Sequence, residues 1–208
     1  MLQIDVSSSI DQAVSLLRAF DPEQLPYAVA LALTNTAKDA QEAVRASMPA
    51  HFTLRRDWVV QGIRIVPATK QLPVAMVYSR DQFMALQETG GLKIPHGKHI
   101  AIPLPAVRPT PTALIAKDDL PRNILPTLRA KGGGLTAVVT MKNGHKFIAR
   151  LRNGAGKGNR LDLLYYLVDD ATLKPRLGLE DITRKVVDRR FVQHLDAALT
   201  QAMRTARR

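Results

Sequence analysis

Residues 135–152 read Leu-Thr-Ala-Val-Val-Thr-Met-Lys-Asn-Gly-His-Lys-Phe-Ile-Ala-Arg-Leu-Arg, and they predict a β-hairpin. Two runs of mainly apolar and β-branched residues, 135–141 and 146–152, flank the turn at residues 142–145. Asn143-Gly144 in this turn is typical of a tight type I′ turn, which needs positive φ angles at both central positions. The hairpin therefore predicts an antiparallel sheet in the middle of the chain.

Shorter elements surround the hairpin. Alternating or continuous apolar residues and local turn signals predict strands over residues 62–66, 73–78 and 161–168 and short helices over residues 81–89 and 120–130. Five prolines should keep residues 92–112 extended, and glycine dominates residues 153–159. We expect flexible segments in both of these places.

Longer helices are predicted toward both ends of the chain. Asp21-Pro22-Glu23 starts a helix that runs to Met48 and stops at Pro49. Its buried stripe is rich in alanine, so another backbone could approach closely: Ala30, Leu33, Ala37, Ala40, Val44 and Met48. A closing helix spans about residues 179–206, with a stripe of Val187, Phe191, Leu195, Ala198, Leu199 and Ala202. A short strand over residues 2–6 and a helix over about residues 10–20 are predicted before them.

Together these elements predict an α+β fold, with N-terminal and C-terminal helices flanking a mainly antiparallel sheet. The 208 residues fit a single domain over residues 1–208. The chain has no cysteine, which excludes disulfides and thiolate metal sites. No apolar run approaches the roughly 20 residues of a membrane-spanning helix, and an acidic residue, Asp5, stands where a signal peptide would be basic. We expect a soluble intracellular protein.

Positive charge is concentrated in one part of the chain. Residues 89–160 hold thirteen Lys and Arg against two Asp, a local net charge of +11 out of +12 for the whole chain. Six of these cations lie on or just after the hairpin: Lys142, Lys146, Arg150, Arg152, Lys157 and Arg160. No aromatic residues alternate with them, so they could grip phosphates or an acidic protein surface but could not stack bases. An ordinary solvated sheet face explains them about equally well.

The hairpin sequence also predicts which strand face is covered. Lys146, Arg150 and Arg152 share one face of the second strand with Ile148. The opposite face, which we expect to be buried, carries Phe147, Ala149 and Leu151.

Chemistry-bearing patterns are weak throughout. His96 and His99 are three residues apart, but no third metal ligand stands beside them, so no metal site or cofactor is predicted. Gly154-Ala-Gly-Lys157-Gly resembles a phosphate-binding loop, yet Gly158 stands where Ser or Thr must bind magnesium. The adjacent carboxylate pairs, at residues 118–119, 169–170 and 180–181, point in different directions and do not converge on a substrate. No enzymatic activity is predicted.

The order of elements resembles the phage tail-completion proteins of the minor tail protein Z type. The residues that carry this resemblance are Asn35-Thr-Ala-Lys38, Ala43-Val-Arg45, Phe52 through Arg55-Arg56, Trp58-Val59, Gly62-Ile63, Ala68-Thr69, Glu88-Thr-Gly-Gly91, Ile100-Ala-Ile-Pro103 and the closing helix. The likeness spans most of the chain, although residues 92–112 and 153–159 could be additions without a family counterpart.

The resemblance implies a structural virion protein that assembles in the host cytoplasm and has no catalytic residues. Such proteins form a ring, commonly sixfold, at the head-proximal end of the tail, where they join the tail tube to the portal or connector. The basic segment would then meet an acidic connector surface or the packaged DNA. The alternative is a non-specific nucleic-acid-binding protein, because the basic charge is clustered. A phage-encoded nuclease or lysin ranks last, because it would need grouped carboxylates or histidines.

Overall fold

The computed structural model describes residues 24–124, 135–153 and 159–206. It confirms the α+β class, with long helices near both ends of the described chain and antiparallel strands between them. The predicted strand over residues 2–6 and helix over residues 10–20 lie outside these ranges. None of the helices within them combines the length and hydrophobicity that a membrane span requires.

The chain is organised as two compact units, whereas the sequence analysis treats residues 1–208 as one domain. Unit 1 comprises residues up to Thr89 and again from Pro175 onward, and unit 2 comprises Gly90–Lys174. The chain enters unit 2 through Gly90 and Gly91, whose φ angles of 71° and 120° favour glycine. Unit 2 is therefore a continuous insertion in the sequence of unit 1.

Unit 1 is built on two long helices, α1 (Leu25–His51) and the closing helix α5 (Leu179–Ala206). The bounds predicted for α5 are confirmed. Helix α1 begins at Leu25 with Gln24 as its N-cap, and it continues past the predicted stop at Pro49. Pro49 lies in the last turn, and the Phe52 N–H donates to the Met48 carbonyl at 2.9 Å to close the helix.

The alanine-rich stripe predicted for α1 is buried except at Leu33, which is half-buried, and the contact with α5 uses Ala28 and Ala32, which were not predicted. Ala28 and Ala32 are fully buried and pack with Ala198, Leu199 and Ala202 of α5 in one apolar cluster. Small side chains at these positions let the two backbones approach closely. Asp39 of α1 adds a polar contact, because its carboxylate lies 2.8 Å from Nε2 of His194 on α5.

The rest of unit 1 packs against the C-terminal half of α1. After α2 (Trp58–Gln61), the two predicted strands are present as β1 (Ile63–Val66) and β2 (Met76–Ser79), and they pair antiparallel, although β2 begins at residue 76 and not at 73. A 3-10 turn (Gln82–Met84) and α3 (Ala85–Thr89) replace the single short helix predicted for residues 81–89. A second apolar cluster forms here from Val44, Met48, Ile63, Met84, Leu177 and Leu179.

The start of α5 is held by a carboxylate from α3. Glu88 accepts hydrogen bonds from the backbone N–H groups of Leu179 and Glu180, at 2.8 and 3.0 Å. These N–H groups have no partner within the helix, and a negative charge is favourable at this end of the helix dipole. Residues that are 91 positions apart in sequence are thereby fixed together on the two sides of the insertion.

Unit 2 contains two antiparallel sheets. In the smaller sheet, β3 (Gly91–Lys93) pairs with β8 (Ala171–Leu173). The larger sheet has the order β4-β7-β6-β5, formed by β4 (Ile100–Pro103), β5 (Leu135–Thr140), β6 (Lys146–Asn153) and β7 (Asn159–Val168). A 3-10 turn (Lys117–Asp119) and α4 (Pro121–Ile124) precede β5. The predicted 120–130 helix is described only over α4, because residues 125–130 lie outside the described ranges.

The hairpin turn differs from the predicted type I′ turn. Gly144 has a φ angle of 83°, but Asn143 does not have a positive φ. The Gly144 N–H donates to the Met141 carbonyl, and the Met141 N–H donates to the His145 carbonyl. This pattern belongs to a type I turn followed by a glycine bulge, in which only the glycine needs the left-handed region.

Candidate interaction surface

The larger sheet of unit 2 has one covered face and one that we call the open face. Residues directly opposite in a β-ladder share a face, so the register assigns every side chain. The open face consists of twelve positions: Ile100, Ile102, Leu135, Ala137, Val139, Phe147, Ala149, Leu151, Leu161, Leu163, Tyr166 and Val168. None of these twelve positions is charged.

The open face is solvent-accessible toward its rim. Ile102, Leu135 and Leu161 are 42%, 51% and 45% exposed. The other positions of the face are half-buried, except for Ala137, which is exposed, and Ala149, which is fully buried. An uncharged sheet face with exposed apolar residues at its rim is a candidate surface for contact with another molecule.

The covered face contains the apolar core of unit 2. Ile148, Leu164, Tyr165 and Leu167 of the sheet cluster with Val107 and Ile124. The Tyr165 hydroxyl donates to the Asp119 backbone carbonyl at 2.6 Å. Burial, followed by the nearby Asp119 charge, raises the pKa of Tyr165 above its ordinary value of 10.0.

The residues of β6 divide between the two faces as predicted, but the prediction that the Phe147 face is the buried one is wrong, although Ala149 on that face is fully buried. Ile148 is fully buried in the core, and it lies on the same face as Lys146 and Arg150. Phe147 and Leu151, which were expected to be buried, are half-buried on the open face. Both faces of β6 carry apolar residues, so alternation alone could not decide which one is covered.

Arg150 reaches the covered side because a carboxylate neutralises it. Its guanidinium lies 2.7 Å from the Asp119 carboxylate, and the Arg150 side chain is only 19% exposed. The sequence predicted Arg150 as a contact residue for phosphates or an acidic partner and gave no sign that Asp119 lies near it. The 3-10 turn instead places Asp119 beside the sheet, which sequence spacing could not reveal.

The other predicted contact residues differ in exposure. Lys142 is exposed in the hairpin turn, Lys146 is half-buried, and exposed Arg160 pairs with Asp162 at 3.0 Å. The backbone of Arg152 pairs with Arg160, and Lys157 lies outside the described ranges. The register places positions 146, 150, 152 and 160 on the covered face of the sheet, and two of these cations, Arg150 and Arg160, have anionic partners.

The charge nevertheless follows the division into units. Unit 2 has fourteen Lys and Arg against five Asp, a net charge of +9, and unit 1 has sixteen against thirteen Asp and Glu, a net charge of +3. None of the cations within the described residues of unit 2 occupies the open face. Unit 2 thus combines an uncharged apolar sheet face with a strongly positive net charge.

One end of the open face carries an aromatic group that the sequence analysis missed. The Phe147 and Tyr166 rings lie 5.1 Å apart, and the Tyr166 hydroxyl lies 2.8 Å from Nδ1 of His145. The residues come together because Phe147 and Tyr166 are register partners across β6 and β7. The sequence could not predict this group, because the three residues are up to 21 positions apart and only the strand register shows that they are neighbours.

A second exposed apolar feature lies in unit 1. Trp58 and Phe83 are 44% and 52% exposed, and their ring centroids are 5.9 Å apart in an edge-to-face arrangement. Trp58 is the single tryptophan of the chain. Exposed tryptophan beside another aromatic ring is typical of protein-binding hot spots.

Polar groups of the described residues show other pairings. Nδ1 of His99 lies 2.6 Å from the carboxylate of Asp169, which directly follows β7. One member of the His96–His99 pair therefore has an acidic neighbour. Across residues 24–124, 135–153 and 159–206, no three His, Cys, Asp or Glu side chains group as metal ligands would.

Comparison of the chain with protein-family models, with curated proteins and with solved structures gives no match.

Proposed function

We propose that this chain is a structural virion protein of a phage neck or tail, which assembles in a ring and joins the tail to the head connector. The open face is the observation that carries the proposal. It presents twelve uncharged positions on one side of a sheet, with exposed leucine and isoleucine at its rim. The resemblance to tail-completion proteins supplies the specific setting.

Burial of the open face would drive assembly. Removing apolar surface from water stabilises a complex by about 25 cal/mol for each Å², before the cost of association is subtracted. The +9 charge of unit 2 would steer it toward an acidic connector or tail surface and raise the association rate. In this proposal the open face of unit 2 provides the apolar contact, and the charged residues of the same unit provide the electrostatic steering.

A charged substitution on the open face tests the proposal. We expect light scattering and electron microscopy to show the wild-type chain in multi-copy rings and in particles from cells that produce it. Leu161→Glu should reduce ring formation at least tenfold, because a carboxylate would have to be desolvated in the contact. Leu72→Glu is the matched control, since Leu72 is 63% exposed in unit 1. A strictly monomeric wild-type chain that is absent from particles would contradict the proposal.

The clustered charge favours a second candidate, non-specific binding to nucleic-acid phosphates. Its observation is the net +9 of unit 2. Each phosphate contact on duplex DNA should contribute about −0.9 to the slope of log affinity against log salt. A DNA-binding titration from about 50 to 200 mM salt measures this slope. Absence of binding at the lowest salt would eliminate this candidate and leave the assembly proposal intact.

A further inference from the structure

Strand β5 lies at an end of the larger sheet, and its outer edge has no strand partner among the described residues. Its sequence, Leu-Thr-Ala-Val-Val-Thr, has no charge and no proline. Soluble proteins usually protect such an edge with lysine, proline or a bulge, because its free backbone groups can pair with another strand. The edge of β5 lacks these protections.

The turn geometry shows which backbone groups of β5 point outward. The Met141 N–H donates across the hairpin to the His145 carbonyl at 2.8 Å. Backbone groups alternate in direction along a strand, so Val139 and Ala137 also point toward β6. The N–H and C=O groups of Val138 and Thr140 therefore point away from the sheet.

Burial limits where a new strand could pair. Thr136 is only 3% exposed, whereas Val138 is 50% exposed and Thr140 is exposed. The accessible edge is thus the half of β5 next to the turn. An antiparallel partner that uses this half must be centred close to Val139.

We propose that the accessible half of β5 pairs antiparallel with β5 of a second copy of this chain, about a two-fold axis at Val139. Val138 of each copy then opposes Thr140 of the other, and their outward N–H and C=O groups form four hydrogen bonds. Val139 opposes itself, and Ala137 opposes Met141. Every opposed side chain is apolar or β-branched, as is typical of stable cross-strand pairs.

The uncharged sequence of β5 suits a second copy as the occupant. No charged residue lies on β5, so self-pairing opposes no like charges within the strand. The antiparallel arrangement also sets the two Lys142 turns apart. Residue 143 of one copy would lie opposite residue 135 of the other, so about eight residues, or roughly 27 Å at 3.4 Å per residue, separate the turns. This distance exceeds the Debye length of about 8 Å at physiological salt.

The pairing goes beyond the proposed function. A two-fold contact closes at two copies, so it is distinct from the contact that would build a ring. Its result is a continuous eight-stranded sheet, in which the open faces of the two copies lie on the same side. The dimer would therefore present a doubled apolar face to a ring neighbour or connector.

Disulfide trapping tests the pairing and its register. The chain has no cysteine, so a single introduced cysteine is a unique probe. Opposed residues at a non-hydrogen-bonded antiparallel site have Cα atoms about 4.5 Å apart, within the range that a disulfide spans. Val139→Cys should therefore cross-link to itself in most molecules under a mild oxidant. Val138→Cys and Thr140→Cys should cross-link to each other when the two variants are mixed, and at least fivefold less when each is alone.

Val192→Cys on α5 is the matched control, because Val192 is an exposed valine far from β5 in sequence. A second measurement avoids cysteine. Val138→Pro removes one outward N–H but no hydrogen bond to β6, so it should weaken dimerisation at least tenfold in sedimentation equilibrium while circular dichroism stays unchanged. The inference is overturned if Val139→Cys cross-links no faster than Val192→Cys, or if a dimer forms equally well in Val138→Pro. If the Val139→Cys chain is found in virions but does not cross-link there, the β5 pairing is overturned while the proposed function is supported.

Discussion

Ala32→Leu should destabilise unit 1 by about 3 kcal/mol, because the added carbons have no space between α1 and α5. Ala32 is fully buried and packs in the cluster that contains Ala198 and Ala202. A larger side chain there must push the helices apart or adopt a strained rotamer. Urea denaturation followed by helical circular dichroism measures the change in the free energy of unfolding.

Ala46→Leu is the control for this substitution. Ala46 lies on the same helix but is exposed, so leucine should change stability by no more than about 0.5 kcal/mol. The close approach of the helices would be contradicted if the two substitutions had the same effect. Leucine and alanine both favour helices, so helix propensity contributes little to the comparison.

Tyr165→Ala should destabilise unit 2 by about 4 kcal/mol, which is the largest effect we expect for a single truncation in that unit. The Tyr165 side chain is 1% exposed in the core cluster, and its hydroxyl donates to the Asp119 carbonyl. Truncation leaves a cavity the size of a ring and an unpaired carbonyl. Hydrogen exchange at the backbone amides of β6 and β7 measures the loss, because it reports on these strands directly.

Tyr166→Ala is the control for Tyr165→Ala. It removes the same type of side chain from the next position, where the tyrosine is less buried. Tyr166 is half-buried on the open face, so its loss should cost about 1 kcal/mol. Equal losses of protection in the two variants would contradict the assignment of the covered and open faces. The comparison therefore tests the register of β7 as well as the packing of Tyr165.

Local sequence signals were sufficient for much of the fold. The stripe of α5 and its limits follow from helical periodicity, and the hairpin follows from two apolar runs around a glycine turn. Periodicity also indicated the alanine contact surface of α1, where Ala37 and Ala40 are buried as expected. These features depend on neighbours within a few residues, and local pattern specifies them.

Features that depend on distant residues were not predictable in the same way. The pairing of Asp119 with Arg150 and the hydrogen bonds from Leu179 to Glu88 join segments 31 and 91 residues apart. Both faces of β6 are apolar, so the sequence could not identify the covered face without knowing that Ile124 and Val107 pack on Ile148. The division into two units was marked only by Gly90-Gly91 and Pro175, which read equally well as ordinary loop residues.

The claim that this chain works by assembly depends on the open face being buried in a complex. The most direct measurement is hydrogen–deuterium exchange across β5, β6 and β7 in purified particles compared with the isolated chain. Assembly through this face should slow exchange at least tenfold at Leu135 and Leu161 while the exposed loop at Leu72 is unaffected. Particles that lack the chain, or that contain it with unchanged exchange in these strands, would contradict the account.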